Sequence, residues 1–361
     1  MSEKRIGQSE AIPPMVSVYD GPTPERLHEI MSGIANTRIA LIGDICLDVY
    51  WRADMTKSEL SRETPHFPLP IVEEWMSPGG GGNAAVNLAV LKPASLFLLG
   101  VAGMDWRGDA LVREIGKRGI QTEGLLRSGS RVTNAYCKPL RKGISQVEYE
   151  DPRIDFENFA PLAKEDEAKL IAMLGHVAQS IDVLCVSDQM KYGCITPAVR
   201  MKIMDLARHG LMVVVDSRDR IALFKGVTLK PNEVEGYRAI LSQNDPATAL
   251  LGEQAEVALA LANQNKSDVC MTLGPKGCIC VEKGIAAYIP SHAVHPPIDP
   301  CGAGDTFLAA FSCARAAGAS GREAAAMANM AAEVTIRKIG TTGTAGIGEI
   351  LARHGEILMG G

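Results

Sequence analysis

A chain of 361 residues with 46% hydrophobic side chains can bury a substantial core, enough for one large domain or two ordinary ones. The net charge of −5 contains no long basic run, which excludes a nucleic-acid footprint and an electrostatic membrane anchor, and no apolar stretch is long enough to span a bilayer. Nine cysteines, an odd number lying mostly inside apolar runs, read as reduced buried thiols, and residues 1–20 lack a signal-peptide pattern, so the expected compartment is the cytoplasm.

Residues 1–20, with the Pro13-Pro14 pair, read as a loose extension. "TPERLHEIM" then starts a helix, with Thr23 as N-cap and Pro24 at the first helical position. Extension and helix together account for residues 1–37, and a single catalytic domain is expected over residues 38–361. Within it, "RIALIG", "SLFLLG", "DVLCVS", "LMVVVD" and "DVCMTLG" are short apolar runs ending in Gly, Ser or Asp. Helical patterns separate them at residues 83–91, 108–118, 164–179 and 197–209. Apolar strands alternating with helices predict an α/β fold, a doubly wound and mostly parallel sheet with helices on both faces. Ligands of such sheets bind beyond the carboxyl ends of the strands.

Two stretches, 51–75 and 133–149, alternate polar and apolar residues without helical periodicity. They predict a small β lid in segments of about 49–76 and 131–150. From Gly302 onward the pattern is helical almost to the end. Cys278 and Cys280 stand two apart and, on a strand, share a face; no second pair gives zinc-site spacing. His292 and His295 precede Pro296-Pro297 and read as a loop pair.

Two glycine clusters run directly into helices. In "SPGGGGNAAVNLAVL", Gly79 to Gly82 let backbone approach a ligand, and Asn83 both donates and accepts hydrogen bonds, which suits a hydroxyl-rich ligand. In "DPCGAGDTFLAAF", the N–H groups of Gly302, Ala303 and Gly304 open a helix beside Asp305. A helix N-terminus favours an anion, although Asp is also a common first-turn residue. Asp44 and Asp48, in "LIGDICLDVYW", fall where ionised carboxylates accept sugar hydroxyls. Neither the Walker pattern nor the dinucleotide fingerprint occurs, and the nucleophile-elbow and zinc-helix motifs are also absent.

These segments resemble the ribokinase family of carbohydrate kinases, the phosphofructokinase B type. "DPCGAGDTFLAAF" is similar to its C-terminal signature and "GGGGNAA" to its N-terminal glycine motif, while "LKPNEVE", "MTLGPKG" and "ANMAAEV" resemble further motifs in order. The similarity extends over residues 38–344. Within the family, "GDICLDVYW", "SRETPHFPLPIV", "VEYEDPRIDFE" and "RKIGTTGT" look most like the heptose-7-phosphate kinases of lipopolysaccharide precursor synthesis.

The resemblance implies a ribokinase-like fold and transfer of the γ-phosphoryl of ATP, with Mg2+, to a sugar or sugar phosphate. The acceptor it implies is the anomeric hydroxyl of D-glycero-D-manno-heptose 7-phosphate. Asp305 is then the general base, and Gly302, Ala303 and Gly304 form the anion hole. Asp48, Gly80, Gly81 and Asn83 bind the sugar, with Arg62 and Lys191 at its far phosphate. Asn232 and Glu235 organise water and Mg2+, Glu235 through water; Thr272, Gly274 and Gly277 line the nucleotide, and Asn329 lies near the base or ribose. Asp299 corresponds to a monovalent-cation site for K+. A homodimer through paired lids is also implied, with neither nucleic acid nor membrane as partner.

The chain departs from the pattern in places. Lys92-Pro93 replace a glycine after the helix, and Cys301 replaces a Thr or Ser. "SDQMKYG" is one residue longer than in the heptose kinases, and "VDSRDR" replaces an Asp-Pro-Lys. The last two touch the expected substrate side, which keeps kinases for ribose, fructose or a keto-deoxy sugar acid as alternatives. A catalytically silent sugar- or nucleotide-binding protein of the same fold is a further alternative. A dinucleotide-dependent oxidoreductase is not, because "LIGDICLD" lacks the fingerprint.

Overall fold

The computed structural model describes residues 16–145, 147–242, 249–340 and 342–360. The chain runs β1 (Val16–Val18), α1 (Pro24–Ile34), β2 (Arg38–Gly43), β3 (Ile45–Asp54), β4 (Ile71–Gly80), α2 (Gly81–Val90), β5 (Ser95–Gly103), α3 (Trp106–Gly116) and β6 (Leu125–Ser128). It continues with β7 (Ala135–Lys142), β8 (Glu148–Glu150), β9 (Ile154–Phe156), α4 (Lys164–Val177), β10 (Val183–Asp188), α5 (Pro197–Arg208), β11 (Met212–Ser217) and β12 (Thr228–Leu229). Then come α6 (Glu233–Leu241), α7 (Leu251–Asn265), β13 (Val269–Thr272), β14 (Gly277–Glu282), β15 (Ile285–Pro290), α8 (Ala303–Ala316), α9 (Gly321–Thr335) and α10 (Ile347–Gly360).

Ten strands form one sheet in the order β1-β15-β14-β13-β12-β11-β10-β2-β5-β6, parallel except at β14. The strands are apolar throughout because both faces are covered. Ile39 and Leu41 of β2 pack with Leu27, Leu88 and Phe307 of α1, α2 and α8. Ala40 and Ile42 face the other way, toward Leu170, Ile203 and Leu261 of α4, α5 and α7. This is the doubly wound α/β sheet that the alternation predicts. Thr23 caps α1 as its sequence implies, accepting from the Arg26 N–H at 3.3 Å.

Several strands escape the sequence pattern. Val16–Val18 belongs to the segment read as a loose extension, yet it pairs in parallel with β15 at the sheet edge. A strand so short carries no periodicity to detect, and residues 1–15 of that segment lie outside the described residues. β14 and β15 form a hairpin whose turn places Lys283 and Gly284 at φ of 51° and 78°, as in a type I′ turn. Cys278 and Cys280 lie on β14, and both are buried.

A second sheet, in the order β4-β3-β7-β8 with β9 against β7, is built from the segments expected to form a lid. Its first strand starts earlier than the expected segment, because β3 follows β2 after the single residue Asp44. Leu47 and Val49 therefore join the core, while the first half of β4, at the lid edge, is exposed. Among the described residues, no helix is long and apolar enough to cross a membrane.

Candidate active site

Two helix N-termini meet beyond the carboxyl edge of the sheet. Gly302, at φ 81°, is the N-cap of α8 and puts Asp305 in its first turn. A Cβ on Gly302 would lie 2.8 Å from Thr342 and 3.0 Å from Asn83, so the turn closes only around glycine. Asn83, in the first turn of α2, donates from Nδ2 to Asp305 Oδ2 at 2.6 Å. Behind it runs a polar ladder: Asn87 Nδ2 donates to the Asn83 backbone carbonyl at 3.0 Å and to the Asn83 amide oxygen at 3.4 Å, and Thr306 Oγ1 donates to Asn87 Oδ1 at 2.8 Å. Asn83 thus spends a donor on orienting Asp305. Within the expected anion hole, the Ala303 N–H turns to the Pro300 carbonyl at 3.2 Å, whereas a Cβ on Gly304 would meet nothing within 4 Å.

Lys230 is buried and reaches Asp216 Oδ2 at 3.1 Å, with Glu235 and Asp305 also in its field. One ammonium thus serves three carboxylates. Burial, together with the charge of Asp216, pushes Asp305 up to about 7 against the pull of Asn83 and Lys230. Burial and Asp216 likewise push Glu235 up to about 7. The excess of negative charge fits a hard divalent cation. Among the described residues, no group of three His, Cys, Asp or Glu side chains could hold a metal ion by itself.

Asn232 and Glu235 form a capping box at the start of α6. Asn232 Oδ1 accepts from the Glu235 N–H at 2.8 Å, and Glu235 Oε2 accepts from the Asn232 N–H at 2.8 Å. The box uses one oxygen of each side chain. Asn232 also bridges in parallel to Thr272, at the carboxyl end of β13. Gly274 (φ 56°) and Gly277 (φ 100°) then turn the chain into β14, and a Cβ on Gly277 would overlap the Ile289 carbonyl. Asn329 donates to the Ile289 carbonyl at 3.2 Å. With Asp20, Ile289, Ala326 and His354, it lines a cavity of about 310 Å³.

On the lid side, Asp48 is buried beside Gly79, whose missing Cβ would sit 2.7 Å from Asp48 Oδ2. Lys138 of β7 lies 3.7 Å from Asp48 Oδ1, donates to the Tyr50 hydroxyl at 3.1 Å and covers the Tyr50 ring. Tyr50 in turn stacks on Trp75 at 5.0 Å. Gly80, at φ 56°, is the N-cap of α2, and the N–H of Gly81 donates to the Asp44 carbonyl at 2.8 Å.

One expectation comes out differently, that for Asp44, and three further residues are placed as follows. The Asp44 carboxylate is not open to a sugar; it accepts the N–H groups of Gln189, Met190 and Cys194 at 2.9, 2.7 and 2.7 Å. Asp299 accepts from the Cys301 and Gly340 N–H groups at 3.0 and 3.2 Å, pinning the turn before α8. Arg62 is exposed between β3 and β4 and makes no hydrogen bond or ion pair with another described residue. Lys191 is exposed too, on the turn held by Asp44, with Nζ 5.3 Å from the Tyr192 ring.

Residues 36–345 match the model of the pfkB family of carbohydrate kinases. The chain belongs to this family. It is 31% identical over 325 residues to the bifunctional protein HldE of Bradyrhizobium sp. (strain ORS 278), and 32% over 320 residues to that of Gluconacetobacter diazotrophicus. Each alignment covers 87% of the chain but 62% and 63% of the relative, so the chain spans less than two thirds of their length. The fold is that of Arabidopsis thaliana ribokinase, solved with ribose and ATP (TM-score 0.65, 17% identity, 88% of this chain and 98% of that one). It is equally that of Escherichia coli phosphofructokinase-2, solved with substrates and products (TM-score 0.68, 18% identity, 89% of this chain and 99% of that one).

As a pfkB carbohydrate kinase, the chain is a phosphotransferase acting on a sugar. Sequence reasoning passed over two of its residues: Lys230 inside the quoted "LKPNEVE", and Glu333 inside "ANMAAEV". Glu333 is buried, pairs with Arg353 of α10 at 2.7 Å, and accepts from the His292 N–H at 2.7 Å and the Ser291 hydroxyl at 3.0 Å. It anchors the segment between β15 and α8. An acid at the end of the long alanine-rich run of α9 was the available signal.

Proposed function

We propose that this pfkB kinase moves the γ-phosphoryl of ATP to the anomeric hydroxyl of D-glycero-D-manno-heptose 7-phosphate. The observation that carries the catalytic reading is the Asp305 carboxylate, held by Asn83 at 2.6 Å and raised to about 7, at the N-terminus of α8. Asp305 takes the hydroxyl proton as the sugar oxygen attacks phosphorus and the bond to the ADP oxygen breaks. The start of α8, with clear space beside Gly304, and the helix dipole face the developing charge. Asp48, Lys138 and the backbone at Gly80 and Gly81 bind the sugar. Thr272, Gly274 and Gly277 take the phosphates and ribose, and the cavity beside Asn329 takes the base. Mg2+ supplies charge neutralisation between the phosphates when bound, near Glu235; K+ is assigned to the turn at Asp299. The heptose acceptor rests on the likeness to the HldE relatives.

The test is ATP consumption with Mg2+, with and without K+, comparing the heptose 7-phosphate with ribose, fructose, their phosphates and a keto-deoxy sugar acid. Preference for the heptose phosphate supports the full reading, and turnover on another sugar replaces the acceptor alone. Nucleotide binding without turnover on any of them favours the silent binding protein.

The assembly we assign is a cytoplasmic homodimer. Free thiols at all nine cysteines support the compartment. Exposed Leu60, Phe67, Ile71, Val72 and Tyr149 on the lid support pairing. Ile71→Glu is expected to turn the dimer into a monomer in sedimentation velocity at micromolar concentration; a monomeric unchanged protein sinks the assignment.

A further inference from the structure

The turn after β10, residues 189–194, has its backbone held by charged side chains from three other parts of the chain. Three of its N–H groups converge on the single carboxylate of Asp44. Its carbonyls point the other way. Those of Met190 and Lys191 accept from Arg220 at 2.7 and 3.2 Å, and that of Tyr192 accepts from Arg131 at 2.6 Å. Arg220 is itself fixed by a two-pronged pair with Asp188, whose side chain is fully buried and also accepts from the Ser217 hydroxyl at 2.7 Å. At Gly193 the turn lies so close that a Cβ would overlap Asp44 Oδ1.

Burying the Asp188 carboxylate under a half-buried Arg220 is costly, and an apolar contact would close the same gap with less penalty. What the ion pair adds is a fixed geometry: a planar fork that addresses a carboxylate and two carbonyls at once. With the backbone so engaged and the Met190 sulfur accepting from Asn134, the polar side chains left to act are those of Gln189, Lys191 and Tyr192, of which the last two lie together with the Lys191 ammonium 5.3 Å from the Tyr192 ring. The turn stands where a sugar ligand would meet it, since Asp44 also accepts the N–H of Gly81, two residues before Asn83. The two segments that depart from the heptose-kinase pattern, "SDQMKYG" and "VDSRDR", are therefore the two halves of one unit, joined by Arg220 and Asp188.

We propose that Arg220 is a positioning residue for acceptor selection, setting the 189–194 turn so that Lys191 and Tyr192 read the acceptor sugar. The inference rests on the kinase reading and deepens it. In the full-length protein, Arg220→Lys and Arg220→Gln are each expected to raise the acceptor KM by about tenfold or more, the scale of a misplaced positioning group, and to flatten the preference among acceptors. The KM for ATP stays within about twofold, because the nucleotide side is untouched. Lysine does not rescue, since it cannot bridge the carboxylate and both carbonyls. Tyr192→Ala and Lys191→Ala, which leave the clamp intact, are expected to raise the same KM without lowering the Tm, and they stand in if the Arg220 variants do not fold.

An unchanged acceptor KM in a folded Arg220 variant overturns the inference while leaving the kinase in place. So does a proportional rise in both KM values, or a normal acceptor KM in both turn variants. Absence of turnover on any sugar by the unchanged protein overturns both readings together.

Discussion

Asp305→Asn is expected to lower kcat by at least about a hundredfold, the lower scale for a positioned base, while ATP affinity measured by calorimetry stays within about twofold. The amide keeps the shape and can still meet Asn83, but it cannot take a proton. In the unchanged protein, kcat/KM should rise with pH and level off above about 7, where the base is ionised. The same shift has a stability consequence whose sign is fixed. Below the ordinary carboxylate range the group is protonated in both folded and unfolded chains. As pH rises from there to about 7 the unfolded chain ionises first, so the folded state loses stability over that window. The Asn variant escapes this loss. Its Tm should exceed that of the unchanged protein at pH 8 and match it more nearly at pH 4. A variant with near-normal turnover removes Asp305 from the role of base, and one less stable at pH 8 shows that its carboxyl is not raised as described.

Lys230→Met is expected to destabilise the fold by about 3–5 kcal/mol, the range for a buried pair stripped of one partner. Asp216 is left without its 3.1 Å partner, and Asp305 and Glu235 lose the cation that opposes their rise. Urea unfolding followed by tryptophan fluorescence measures the loss. Adding Asp216→Asn should recover part of it, because the orphaned charge is then gone. A single-variant loss below about 1 kcal/mol, the value of an exposed pair, shows that Lys230 is not held as described.

The sequence displays those parts of this kinase whose physics is local. "RIALIG" and "DVLCVS" announce buried parallel strands because they are apolar on both faces, and "DPCGAGD" announces a helix start because glycine and aspartate have few other reasons to adjoin one. What it hides is pairing at a distance. Asn83 and Asp305 are 222 residues apart, and Asn83 by itself looks like a ligand for a sugar rather than a holder of the base. Asp44 and Asp48 look equivalent in "GDICLD", yet one is filled by backbone N–H groups and the other faces Lys138. The Asn-x-x-Glu segment was readable as a capping box from its spacing alone, so its structural duty needed no family at all. Lys230 gives no local sign, since a buried lysine is recognised by the carboxylates that tertiary structure brings to it.

β2 and β3 are separated by one residue, and the other arm of the lid hairpin returns to the same place, with Ile45 paired to Gly80. Both arms of the lid are thus rooted at a single point, and Asp44 stands on it. Mechanically this is a lever with its fulcrum at a carboxylate that also grips the 189–194 turn. On the proposed function, a swing of the hairpin would pull on that turn, so that a flap over the sugar and the surface proposed to read it would share one axle.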